Sequence, residues 1–174
     1  GSDTETRTTY INVVDATPPP VVEGFESLMP SDWAVSNPDG GGAWVATDTT
    51  AHTGTYCLVF DNWNFPAFTQ DDVTTRLVDL TTFDASEFTF DYAYQVRSFA
   101  HTWDTLQVWV SPDCGQNWTM EWENGGSDLA TVSGNNFFSR FVPTATNEWD
   151  NVSIDLSNYL GNDGVKIRFR NIGN

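Results

Sequence analysis

Apolar and polar positions in this chain alternate in twos over most of its length, and helical periodicity is scarce. TTYINVV (8–14) reads as a strand. Further strands are predicted at YCLVF (56–60), TTRLVDL (74–80), EFTFDYAYQV (87–96), DTLQVWVS (104–111), NVSIDL (151–156) and VKIRFR (165–170). Turn-rich segments such as NPDGGG, NGGSD and SGNN separate them. LSNYLG (156–161) has room for one helical turn. Many short strands joined by Gly, Asn and Asp turns specify an all-β chain, an antiparallel β-sandwich of the jelly-roll kind.

Alternation also assigns faces, because neighbouring side chains on a strand point to opposite sides. Phe88, Phe90, Tyr92 and Tyr94 share one side, as do Leu106, Val108 and Val110, and Val165, Ile167 and Phe169. These are the expected core, each large side chain contributing roughly 1.5–3 kcal/mol on burial. The opposite sides carry Gln95, then Gln107 and Trp109, then Lys166, Arg168 and Arg170. Arg76 falls in the same class by parity within 74–80.

Three consecutive prolines in DATPPPVVEG (15–24) stiffen an extended connector and suggest a boundary. The expected organisation is a tail or last strand of a preceding module over 1–15, a Pro-rich linker over 16–22, and the sandwich over 23–174. At 174 residues, 39% hydrophobic and 14% aromatic, the chain can bury a core despite a formal charge of -17. Twenty-four acids against seven bases disfavour nucleic acid as a partner. No apolar run approaches the roughly 20 residues that span a bilayer, so membrane insertion is not expected. The opening GS reads as a cloning remnant, and a fragment of a longer secreted protein is expected. Cys57 and Cys114 could be one disulfide or two thiols; their separation in sequence does not decide.

Catalytic patterns are missing. His52 and His101 fall in different loops, and neither H-E-x-x-H nor G-x-S-x-G occurs. Cys114 sits in SPDCGQNW, which reads as a hairpin corner with Pro112 and Asp113 starting the turn and Gly115 supplying permissive angles. Carboxylate pairs such as Asp71–Asp72 exist, but a chain this acidic always offers some. An enzyme is therefore not expected. Calcium is a better use of acids in loops, since it takes six to eight oxygens. Glu26, Asp48, Asp61 and Asn62 are the candidate ligands, with ordinary turn capping as the alternative at each.

If the strands share a sheet, Gln95, Gln107, Trp109, Arg76, Lys166, Arg168 and Arg170 form a polar platform bearing an aromatic. Sugars suit such a surface: C–H faces stack on rings, while Gln and Arg bond hydroxyls or carboxylates. The alternative is structural, with Arg stems packed on Trp109 and paired with Asp. A second candidate is DNWNFPAFTQDD (61–72), where Trp63, Phe65 and Phe68 are unusually apolar for a loop.

Several phrases in order carry a resemblance: VVEGFES, DWAV, HTGTYCLVFDN, RLVDLTTFDASEFTFDYAY, DTLQVWVSPDCGQNW and WDNVSIDLSNYLGNDGVKIRFRN. Together they resemble the secreted jelly-roll modules related to MAM domains and the cleaved-adhesin modules of Bacteroidetes surface proteins. TRTTYINVVDA resembles the last strand of a PKD-type module. The resemblance implies an extracellular, non-catalytic accessory domain, secreted or at the cell surface, often with bound calcium, and it favours Glu26 as a ligand. Relatives continue beyond FRNIGN into a final strand carrying an Asp, so the sandwich is expected to lack that strand or take it from another segment. Two functions fit. One is binding of a polysaccharide or glycan on behalf of a larger protein. The other is an adhesion or structural module of a secreted protease or surface protein, contacting protein or a neighbouring domain.

Overall fold

The computed structural model describes residues 16–65, 70–97, 104–134 and 138–173. The strand expected at 8–14, and Phe68 and His101, lie outside the described residues. Among the described residues nine strands are formed: β1 Ala34–Ser36, β2 Val45–Thr47, β3 Cys57–Val59, β4 Gln70–Thr74, β5 Glu87–Tyr92, β6 Thr105–Ser111, β7 Thr119–Gly125, β8 Asp150–Asp155 and β9 Lys166–Ile172. Five make an antiparallel sheet in the order β1-β4-β9-β6-β7. Two antiparallel pairs, β2-β3 and β5-β8, complete the described β-structure.

The chain is an antiparallel β-sandwich, and the expected inward faces build it. Phe90 of β5 meets Phe169 of β9 at 5.1 Å and Trp122 of β7 at 5.6 Å between ring centroids. The β5-β8 pair thus packs on the inner face of the large sheet. Leu80, Val108, Val110, Val165 and Ile167 lie in one buried cluster with Ile154, Leu156 and Tyr159. β3 and β5 each have a ladder edge paired with no strand among the described residues. Leu58, Phe60, Phe88, Phe90 and Phe169 line a cavity of about 630 Å³.

Three differences from the sequence reading have physical causes. The strand expected over 74–80 ends at Thr74, and strand pairing begins four residues earlier, at Gln70. Past it, the Thr75 hydroxyl rather than a carbonyl accepts the Ile167 N–H, at 3.0 Å. Only isolated bridges from Val78 to Thr17 and Val165 follow. Arg76 is therefore not on a ladder. The strand expected over 87–96 stops at Tyr92, because the Tyr94 carbonyl turns aside to the Thr131 N–H at 2.9 Å. Alternation missed β1, β2 and β7: the first two are only three residues long, too short to show a period, and at β7 the register with β6 shifts between Val108 and Trp109, an irregularity that breaks the period of two.

Candidate functional site

The platform residues on β6 and β9 do share one face. Cross-strand register sets Gln107 opposite Arg170, Trp109 opposite Arg168 and Ser111 opposite Lys166, all pointing away from Val108 and Ile167. Sequence reasoning missed two members. Asp72 of β4 lies directly opposite Arg170, and Trp118 precedes β7. The signal for Asp72 was its parity against Val73, which needs the strand to begin at Gln70.

This face is largely closed on itself. Arg170 forms a two-pronged bond to Asp72, Nε to Oδ1 at 2.7 Å and Nη2 to Oδ2 at 2.8 Å. That bond holds the Arg170 guanidinium above its ordinary pKa. Arg168 lies between two indoles, 4.2 Å from the Trp118 ring and 5.3 Å from Trp109. Burial there lowers its pKa, with the charge of Arg170 adding to the effect. Trp109 donates to Gln107 Oε1 at 2.9 Å, and Gln107 donates to Glu123. Only 15% of the Arg168 side chain and 18% of the Arg170 side chain remain exposed.

Arg76, Gln95 and Trp63 are not on this face. All three line the cavity between the sheets. Arg76 pairs with Glu23 at 3.3 Å and Asp32 at 3.2 Å. Trp63 carries the exposed guanidinium of Arg97 over its ring at 4.3 Å. Arg97 also donates to the Trp63 carbonyl at 3.3 Å. Beside them, Asp61 pairs with Arg140 at 3.5 Å, and Phe65 is exposed. His52 pairs with Asp91 at 2.9 Å elsewhere on the lining.

The candidate metal ligands divide in the same way. Glu26 Oε1 accepts the N–H groups of Thr55 at 2.8 Å and Tyr56 at 3.1 Å, which lowers its pKa. Asp48 is exposed after β2. Asp61 caps the turn that follows it, accepting from the N–H groups of Trp63 and Asn64. Asn62 exchanges two amide bonds with Asn171, at 2.9 and 3.0 Å. No bonding partner joins Glu26 to Asp61 or Asn62 among the described residues.

The Asp113 corner is a turn held by its own carboxylate. Asp113 Oδ1 accepts the N–H groups of Gln116 at 3.0 Å and Asn117 at 2.8 Å, and the Ser111 hydroxyl at 2.8 Å. Cys114 and Gly115 adopt φ of 61° and 92°. Cys57 and Cys114 are both free thiols.

No family model matches the chain, and no curated protein matches it. Solved structures are similar. The K1 cleaved adhesin domain of Lys-gingipain from Porphyromonas gingivalis W83 is 18% identical with a TM-score of 0.57, covering 87% of this chain and 86% of that one. The K2 cleaved adhesin domain of the same protein is 20% identical at a TM-score of 0.54, covering 87% of each. TmCBM61 in complex with β-1,4-galactotriose is 21% identical at 0.51, covering 86% of this chain and 83% of that one. At such identities the likeness is one of fold.

Proposed function

We propose that this chain is a non-catalytic carbohydrate-binding accessory domain of a larger secreted or surface protein, working by tethering rather than by chemistry. The observation that carries the reading is the Arg97–Trp63 stack on the lining of a cavity of about 630 Å³, with Asp61–Arg140 beside it. Such a group offers an indole for sugar C–H faces and guanidinium and carboxylate groups for hydroxyls. A concave site with a few convergent polar groups is also where small ligands usually bind. The outer face is less suited, because Asp72, Gln107 and Glu123 already engage its donors. Similarity of fold to a module solved with a galactotriose supports the class of ligand.

Affinity electrophoresis through β-1,4-galactan, with a glycan array for breadth, tests the reading. Retardation should occur with wild type, fall in Trp63→Ala and Arg97→Ala, and persist in Arg170→Lys. Absence of retention on every glycan defeats it. A protein-adhesion reading would then take its place, favoured by the cleaved-adhesin similarity and by the edges of β3 and β5 that pair with no strand among the described residues.

A further inference from the structure

Among the described residues, three arginines line the cavity between the sheets: Arg76, Arg97 and Arg140. Their charges are not equally spent. Arg76 is paired twice, to Glu23 at 3.3 Å and to Asp32 at 3.2 Å. Arg97 is held differently. Its guanidinium stands 4.3 Å from the centre of the Trp63 ring and donates to the uncharged Trp63 carbonyl at 3.3 Å. Among the described residues no carboxylate lies within ion-pair reach of it. In a chain with 24 acids and a formal charge of -17, a cation left with a ring and a carbonyl is an exception.

Arg140 is held loosely. Its Nη1 is 3.5 Å from Asp61 Oδ2, longer than an ordinary N–H···O bond. The same oxygen accepts the Asn64 amide at 2.7 Å, and Asp61 Oδ1 accepts the N–H groups of Trp63 at 3.1 Å and Asn64 at 3.3 Å. Asp61 is thus engaged by its own turn, and Arg140 makes the longest of these contacts. Both guanidiniums adjoin that one turn, Arg97 at the ring and carbonyl of Trp63 and Arg140 at the carboxylate two residues earlier. Both arginines are exposed, so a ligand entering the cavity from solvent meets them.

We infer, resting on the carbohydrate-binding reading above, that the saccharide taken by this cavity is anionic, and that Arg97 and Arg140 recognise its uronate carboxylate or sulfate ester while a sugar ring lies against Trp63. A guanidinium presents its donors as a planar fork that fits two oxygens of one such group. Bonds between charged partners are about twice as strong as neutral ones, so a hydroxyl exploits neither the charge nor the fork. The acidic remainder of the protein sharpens the choice. It repels a polyanion from most of the surface and leaves it attracted where cations are uncompensated.

Affinity electrophoresis through three forms of one backbone tests it: β-1,4-galactan, the same galactan oxidised at C6 to the uronate, and the same galactan sulfated. Wild type should bind an acidic form at least roughly tenfold more tightly than the neutral one, and rising NaCl should erode the difference. The form preferred, uronate or sulfate, names the anionic group. Arg97→Gln and Arg140→Gln should each shrink the ratio of acidic to neutral affinity, with thermal unfolding confirming that both variants are folded. Lys166→Gln, on the outer face, should leave the ratio as it is. Equal retention of wild type by the neutral and both acidic forms overturns the anionic preference and leaves the carbohydrate reading standing. A preference that survives in both arginine variants overturns it too, because the attraction then lies elsewhere on the protein. Retention by no glycan at all defeats the carbohydrate reading and this preference with it.

Discussion

The Arg170 guanidinium grips the Asp72 carboxylate with two parallel bonds, across the ladder that joins β9 to β4. The same carboxylate lies 3.7 Å from Arg168, so one acid balances two cations whose side chains are mostly covered. Asp72→Ala should therefore cost about 1.5–3 kcal/mol, more than an exposed ion pair would, because it leaves two guanidinium groups facing each other. Arg170→Lys should cost less, keeping the charge and losing the fork. Urea unfolding measures both; equal, negligible losses would show that the pair is a surface ornament.

Leu80 is fully buried in the cluster with Val108, Val110 and Ile167, whereas Met120 on the outer face is 43% exposed. Leu80→Ala should lose about 2–5 kcal/mol, from lost transfer energy and the cavity left behind. Met120→Ala should change stability by about 0.5 kcal/mol or less. Matching losses at the two positions would mean that the faces are assigned wrongly.

Parity made most of the sheet legible. Val108, Val110, Ile167 and Phe90 alternate without interruption, and each is where the period of two put it. The outer placement of Gln107, Trp109, Arg168 and Arg170 followed from the same rule. What the rule could not give was neighbourhood. Asp72 is five residues before Leu77 in a segment whose strand boundary was misplaced, so its position opposite Arg170 was hidden. Arg76 and Gln95 were put on the platform because alternation was extended beyond the last paired residue, where Thr75 and Thr131 divert the chain. The Arg97–Trp63 and Arg140–Asp61 contacts join loops far apart in sequence, and no local pattern encodes them.

Asp113 should titrate far below an ordinary aspartate. Bonds from the Asn117 backbone and side chain, with smaller help from Ser111 and Gln116, bring its pKa down from 3.8 to about 2. Its folded value is lower than its unfolded value, so the stabilisation is complete above about pH 4 and is lost as pH falls through about 2. Carbon-detected NMR of the Asp113 carboxyl should show that midpoint, and Asn117→Ala should move it upward. A midpoint near 3.8 in the intact protein would contradict the turn geometry.

Glu26 braces the 54–56 turn, at whose start Gly54 adopts φ of 70°. The Thr55 and Tyr56 amides should exchange more slowly with solvent than other turn amides, and Glu26→Ala should remove that protection. Backbone bonds to the carboxylate lower its pKa below 4.5, so protection should hold above that pH and fade as the pH drops through the folded value. Hydrogen exchange that is unchanged in Glu26→Ala would free this side chain for another role.

Both cysteines should react in the native protein without reductant, and at different rates. Cys114 is exposed in its turn, while Cys57 is half-buried on β3. Burial pushes the Cys57 thiol above its ordinary value of 9.0, which reduces its thiolate fraction at neutral pH. Since the thiolate is the nucleophile, a disulfide reagent should modify Cys114 first and Cys57 more slowly. Unfolding in guanidinium should make the two rates alike, because the difference comes from packing. Cys114→Ser should remove the fast phase alone. A native protein that yields no thiol until it is reduced would require the two residues to be joined, contrary to the two free thiols of the structure.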